Sequence, residues 1–200
     1  MNDLYSLLDA WNAYEAGQYA LAEQIFKALI EIAPDPDTRR NHALGYVQVL
    51  MAQQRWAEAR ELLQAMLTET GEAMYYHQLG LLERAAGRPE AALAQFRAET
   101  KLLQPEPFTQ AINQQQLAQT ALLLDRPQDA QTAAEAGLSF ARASGDPSLE
   151  AGLHALLGEI AEAMGQLQRA RECYADATVA YASAGDPERE QEMAEHIARL

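Results

Sequence analysis

One pattern of small and aromatic residues returns along this chain and restricts what it can fold into. Leu79-Gly80 is followed by Gly87 after seven residues, Ala92 after five more and Phe96 after four more. The same offsets link Leu157-Gly158, Gly165, Ala170 and Tyr174. Gly17, Ala22 and Phe26 keep the spacing at the start of the chain, with Pro34 behind them. A looser copy has Gln54 in place of the turn glycine, then Trp56, Ala59 and Leu63; another has Leu117-Ala118, Asp125-Arg126-Pro127, Ala130 and Ala134. The alanines Ala22, Ala59, Ala92, Ala130 and Ala170 are spaced by 37, 33, 38 and 40 residues. A second marker, Gly145-Asp146-Pro147, returns as Gly185-Asp186-Pro187. Periods of this length belong to arrays in which each repeat packs on its neighbours.

The repeated element is helical. Val occurs only at Val47, Val49 and Val179, and Ile at six positions, so there is little β-branched material for a sheet. Ala and Leu dominate, and both enter helices at small entropic cost. Gly145 and Gly185 can end a helix in the left-handed conformation. Asp146 and Asp186 can then cap the next one, with Pro147 and Pro187 in its first turn. Pro89 and Pro127 open helices in the same way. The punctuation predicts helix pairs over 3–16/19–32, 37–53/56–70, 72–86/89–103, 107–124/127–144 and 147–164/167–184, and a last helix over 187–199. Gly80, Ala118 and Gly158 are expected where the two helices of a pair cross, facing Ala92, Ala130 and Ala170. Phe26, Phe96 and Tyr174 are expected to fill the gap to the next pair.

This pattern resembles the tetratricopeptide repeat, a helix-turn-helix unit of about 34 residues. The resemblance covers nearly the whole chain as one domain, with units at about 1–36, 37–71, 72–106, 107–146 and 147–186 and a capping helix at 187–200. It implies an all-α fold, a right-handed superhelical solenoid of antiparallel helix pairs with about 11 helices. The last two units look like the longer repeat of bacterial regulators and kinesin light chains. The polar terminal helix would shield the final apolar face. At the other end, Leu4, Tyr5, Leu7 and Leu8 open into the first unit without such a cap.

The family's first helices line a concave groove that takes peptides or helices. The resemblance puts Leu7, Trp11 and Tyr14 of the first unit on that face, then Asn41, Leu44, Gln48 and Met51 of the second. His77, Leu81 and Arg84 follow from the third, and Ile112, Gln115, Gln119 and Leu122 from the fourth. The fifth would offer Gly152, Ala155, Glu159 and Glu162. A carboxylate clamp for chaperone tails needs clustered Lys, Arg and paired Asn, and here only Arg84 and Asn41 fall on the face, far apart. The groove reads instead as aromatic, apolar and Gln-rich, although the leucines Leu44, Leu81 and Leu122 can equally pack between adjacent first helices.

Charge narrows the partners. The net charge is -14, and it is unevenly laid out. Residues 1–38 carry -6, residues 39–127 balance and residues 128–200 carry -8. No basic stripe runs along the predicted groove, so nucleic acid is not an expected ligand. No run approaches the roughly 18 apolar residues of a membrane span, and the start has no signal-peptide pattern. One cysteine, Cys173, excludes a disulfide within the chain and fits a reducing, cytoplasmic setting.

Catalytic patterns are missing from the sequence. His42, His77, His154 and His196 sit in different units, without zinc-ligand spacing. Cys173 has no positioned base and is expected as a buried structural thiol. Glu159 and Glu162 share a helix face, and Glu192 precedes His196 by four residues; neither pair makes a hydrolase or metal site alone. No cofactor is expected, and the chain is read as a non-enzyme. The expected function is a protein-interaction module, an adaptor or scaffold whose partner is an apolar or amphipathic segment with basic character at one end. Alternatives are a bacterial secretion-type chaperone for a hydrophobic export substrate, a peptide-sensing regulator, and a homodimer formed through the uncapped N-terminal unit.

Overall fold

The computed structural model describes residues 6–200. Leu4 and Tyr5, read above as part of the apolar start, lie outside the described residues. Eleven helices and no strand occur among the described residues. They are α1 (Leu7–Glu15), α2 (Tyr19–Ile32), α3 (Pro36–Ala52), α4 (Trp56–Thr70), α5 (Ala73–Ala85) and α6 (Pro89–Thr100). Then come α7 (Pro107–Leu123), α8 (Pro127–Ser144), α9 (Pro147–Ala163), α10 (Leu167–Ala184) and α11 (Pro187–Arg199). They pack as two compact units, one ending at Arg88 and one running from Pro89 to Leu200.

The repeat is visible in the backbone. The turn inside each predicted pair holds one left-handed residue: Gly17, Gln54, Gly87, Asp125 and Gly165, at φ 70°, 58°, 72°, 55° and 72°. The next residue's N–H then bonds back five positions in every case: Gln18 to Ala13, Arg55 to Leu50, Arg88 to Glu83, Arg126 to Ala121 and Gln166 to Ala161, at 2.8–3.0 Å. This closure satisfies carbonyls that the helix end leaves open. Caps follow the predicted chemistry at Asp146 and Asp186, whose side chains accept from Leu149 and Arg189 N–H. Asp35 and Glu106 do the same for α3 and α7.

Two boundaries differ from expectation. Helix α1 starts at Leu7, because Ser6 is extended and forms a reciprocal capping box with Asp9. Helix α6 ends at Thr100 rather than 103, where the chain turns ahead of Pro105. Cys173 is half-buried rather than buried, with burial raising its thiol pKa.

In the first unit, one core joins Ala10, Ala22, Ile25 and Phe26 to Val49. The next joins Val47, Leu50, Leu63 and Met66 to Tyr75, Leu79 and Leu82. Phe26 reaches α3 of the following repeat, where a Cβ on Gly45 would collide with its ring. Glu83 is buried at 5% exposure, and two arginines neutralise it: Arg60 at 2.6 Å and Arg88 at 2.6 Å.

In the second unit, buried Asn113 ties α7 to α6. It donates to the Phe96 carbonyl at 3.0 Å and to Glu99 at 2.8 Å, and accepts from Thr100 at 2.7 Å. One core spans α7, α8 and α9 through Ala118, Ala130, Ala134, Leu153 and Ile160. Another spans α9, α10 and α11 through Ala170, Tyr174, Ala177 and Met193. At the α9–α10 crossing, a Cβ on Gly158 would meet the Tyr174 ring at 2.5–2.8 Å. The group pressed closest to Gly158 is thus the Tyr174 ring. A tyrosine ring one turn beyond Ala170 reaches back over the glycine. Helix α11 covers α10 with Met193, Ile197 and Leu200 while Glu188, Gln191, Glu192 and Glu195 face solvent.

Candidate partner-binding face

The predicted groove positions recur at helical spacing on successive first helices, so those of one helix share a face. In the first unit, Leu7 is 42% exposed at the start of α1. Trp11 and Tyr14 are half-buried and tied into the first core. The Trp11 ring packs edge-on to Phe26 at 5.3 Å and to Tyr14 at 5.6 Å, and Tyr14 leans on Tyr19 at 5.7 Å. These half-buried rings cover the first core. Asn41 is exposed on α3; Leu44, Gln48 and Met51 beside it are half-buried, with Leu44 and Met51 packed on the second core. His77, Leu81 and Arg84 of α5 are half-buried, and burial lowers the pKa of the Arg84 guanidinium.

In the second unit, Ile112, Gln115, Gln119 and Leu122 of α7 are half-buried, and Leu122 packs on the α7–α9 core. Gln115 reaches α9: its Nε2 lies 3.1 Å from where a Gly152 Cβ would be. Gly152 thereby makes room for a neighbouring side chain on the same face. Ala155 beside it is buried.

Farther along α9 the face becomes acidic. Partial burial pushes the Glu159 pKa up; His196 opposes that rise, while Glu162 and Glu192 add to it. Glu162 accepts the Tyr174 hydroxyl, and His196 Nδ1 stands 4.0 Å from its carboxylate. The His196 ring lies against Tyr174 at 4.9 Å between centroids. The structure therefore brings together two pairs that sequence reasoning kept apart, Glu159/Glu162 on α9 and Glu192/His196 on α11. The available signal was the placement of α11 as a cap on the fifth repeat, which sets its inner face beside α9 and α10. Among the described residues, no group of three or more His, Cys, Asp or Glu is arranged to hold a metal ion. No helix among them is long and apolar enough to cross a membrane.

Two tetratricopeptide repeat models match the sequence, over residues 13–80 and 151–178. No curated protein matches it significantly. Among solved structures, BtubC from P. vanneervenii superposes with TM-score 0.70 at 15% identity, covering 92% of this chain and 89% of that one. TTC0263, a thermophilic tetratricopeptide protein of Thermus thermophilus, gives 0.65 at 20% identity, with 96% of each chain covered. YrrB, described as a tetratricopeptide protein with an unusual peptide-binding site, gives 0.61 at 15% identity, covering 100% and 94%. Proteins of this kind serve in general as non-catalytic scaffolds that bind other proteins or peptides. From the in-phase turns, the close-packed crossings and these matches, the chain is a tetratricopeptide repeat protein.

Proposed function

We propose that the chain is a cytoplasmic adaptor or scaffold whose first-helix face holds a short apolar or amphipathic segment of a partner protein. The observation that carries this reading is the composition of that face. In the first unit half-buried Leu44, Gln48, Met51 and Leu81 lie on α3 and α5; in the second, half-buried Ile112, Gln115, Gln119 and Leu122 lie on α7, and acidic residues gather between α9 and α11. Apolar side chains supply burial, and glutamines can bond a partner's backbone without imposing charge. The carboxylates Glu159, Glu162 and Glu192 favour a partner with Lys or Arg at one end. The peptide-binding site noted for YrrB is a precedent in a similar fold.

The test uses Gln48→Arg and Glu159→Lys, which change the face without emptying a core. The full chain and both variants are used for affinity capture from the source cells, followed by mass spectrometry. A partner retained by the parent chain and lost by either variant supports the reading. A partner retained equally by all three places the binding surface elsewhere.

A second reading concerns α1. Leu7 and Leu8 are 42% and 68% exposed there, and Leu21 of α2 is 36% exposed, which suits pairing with a second copy. Light scattering across a concentration series tests it: a dimer abolished by Leu8→Glu supports it, and a monomer throughout removes it.

A further inference from the structure

A buried histidine of the second unit stands where α8, α9 and α10 meet. His154 of α9 is 6% exposed, on another side of that helix from Gly152 and Glu159. Arg142, in the last turn of α8, places Nη2 3.2 Å from its Nε2. Arg142 also donates from Nε to Glu150, one turn before His154, at 2.8 Å. The Glu150 carboxylate is 3.7 Å from His154 Nε2, and that of Asp176 on α10 is 3.7 Å from Nδ1. The Nδ1 atom is buried and makes no hydrogen bond. The two carboxylates address opposite ring nitrogens, so they do not converge on one point as metal ligands would.

These contacts fix the resting protonation. Arginine has only donors, so Nε2 must accept and the single ring hydrogen sits on Nδ1. That N–H is an orphan, because Asp176 stops short of hydrogen-bond distance. Burial lowers the ring's pKa below the usual 6.5; Asp176 opposes this, Arg142 adds to it and Glu150 opposes it. These are the ionisable groups facing the ring from α8, α9 and α10, and α7 carries none. A cleft of about 320 Å³ bounded by Arg142, Pro147, Glu150, Asp176 and Val179 brings solvent to this side of the ring.

We infer that His154 is an acid-operated latch: neutral, its ring holds Arg142 of α8; protonated, it releases Arg142 and bonds to Glu150 and Asp176 instead. The proton comes from solvent and enters at Nε2, the nitrogen with the lone pair. Nε2–H then points at the Arg142 donors, so two cations meet with no acceptor between them. Arg142 is exposed and can swing into water. Glu150, relieved of Arg142, accepts from Nε2, and exposed Asp176 accepts from Nδ1. Each carboxylate has only about 1 Å to close to reach a charge-assisted bond of roughly 2.8 Å. The orphan N–H gains its partner in the same step, and one proton exchanges an α8–α9 link for an α9–α10 link. Because the folded ring titrates below 6.5, the neutral latch stabilises the second unit above that pH, and the contribution is lost as pH falls. The inference does not depend on what occupies the first-helix face.

NMR of the full chain, with nitrogen labels in His and Arg, follows both partners from about pH 8 to about pH 5. His42→Gln, His77→Gln and His196→Gln assign the other three rings and leave the latch untouched. At the alkaline end His154 should carry its hydrogen on Nδ1, and its titration midpoint should lie below 6.5. The Arg142 Nε signal should change with the same midpoint, because its release is the same event. Arg142→Gln should raise the His154 midpoint and Asp176→Asn should lower it. Circular dichroism of both variants at the alkaline end, matching the parent, shows that the fold is kept. A hydrogen on Nε2 at the alkaline end overturns the inference. So does an Arg142 signal that ignores the His154 midpoint, or an Asp176→Asn variant whose His154 titrates as in the parent.

Discussion

Gly158→Ala tests the close packing on which the last repeat is built. A Cβ at this position lands 2.5, 2.7 and 2.8 Å from Cε1, Cδ1 and Cζ of Tyr174. Ordinary carbon contacts begin at about 3.5 Å, so the ring must withdraw by about 1 Å. It has little freedom to do so. Tyr174 is 1% exposed, its hydroxyl is held by Glu162, and His196 lies against the ring. Overpacking of this kind costs about 1–3 kcal/mol, while Gly→Ala in a helix returns about 1 kcal/mol. The net expectation is a loss of about 1 kcal/mol. The sign becomes decisive in a double-mutant cycle. In a Tyr174→Leu background the ring is gone, and Gly158→Ala should stabilise by its helix propensity alone, about 1 kcal/mol. The coupling is then about 2 kcal/mol, well above the 0.5 kcal/mol or so by which independent sites depart from additivity. Urea denaturation followed by far-UV circular dichroism measures it, with amide exchange locating the effect in α9–α11, since repeat arrays need not unfold in two states. If Gly158→Ala stabilises equally in both backgrounds, the glycine is not there for the ring and the packing argument fails.

Three further outcomes follow from the geometry. Asp125→Gly and Gln54→Gly relieve left-handed backbone at non-glycine residues and should each raise stability by about 0.5–1 kcal/mol in chemical denaturation. Arg60→Met removes one of the two arginines that neutralise buried Glu83, and should cost the first unit about 1–3 kcal/mol, visible as a lower urea midpoint. Acid should weaken the same unit through Glu23. Burial raises its pKa, but hydrogen bonds from Lys27, Arg55 and Tyr46 outweigh that and hold it at about 2 rather than the ordinary 4.5. The stabilisation is present above pH 4.5 and fades as pH falls toward 2. After screening of these partly exposed pairs it amounts to about 1–2 kcal/mol, and Arg55→Gln should flatten that part of a pH–stability curve.

What could be read from the sequence was what short-range chemistry specifies. Gly17, Gly87 and Gly165 mark turns because few other residues adopt that backbone readily, and their phase located Gln54 and Asp125 as equivalent turns. Asp146-Pro147 and Asp186-Pro187 carry both cap and first turn. The features that escaped depend on partners distant in the chain. Trp11 and Tyr14 read as groove residues, yet their rings also pack on Phe26 and Tyr19 and belong to the first core. Nothing near Gly45 in sequence announces that Phe26 will press against it. Nothing near Glu83 in sequence announces that Arg60, 23 residues away, will reach it. The acidic corner of Glu159, Glu162 and Glu192 exists only because α11 folds back beside α9 and α10.

The first helices, rather than the second helices, are proposed to present the partner-binding face. Site-specific photocrosslinking in the source cells measures this directly, with the probe at Gln48 or Gln115 on first helices and at Gln64 or Glu135 on second helices. Partner crosslinks are expected from Gln48 or from Gln115 and not from Gln64 or Glu135. Crosslinks to the partner from the second-helix positions alone would contradict it.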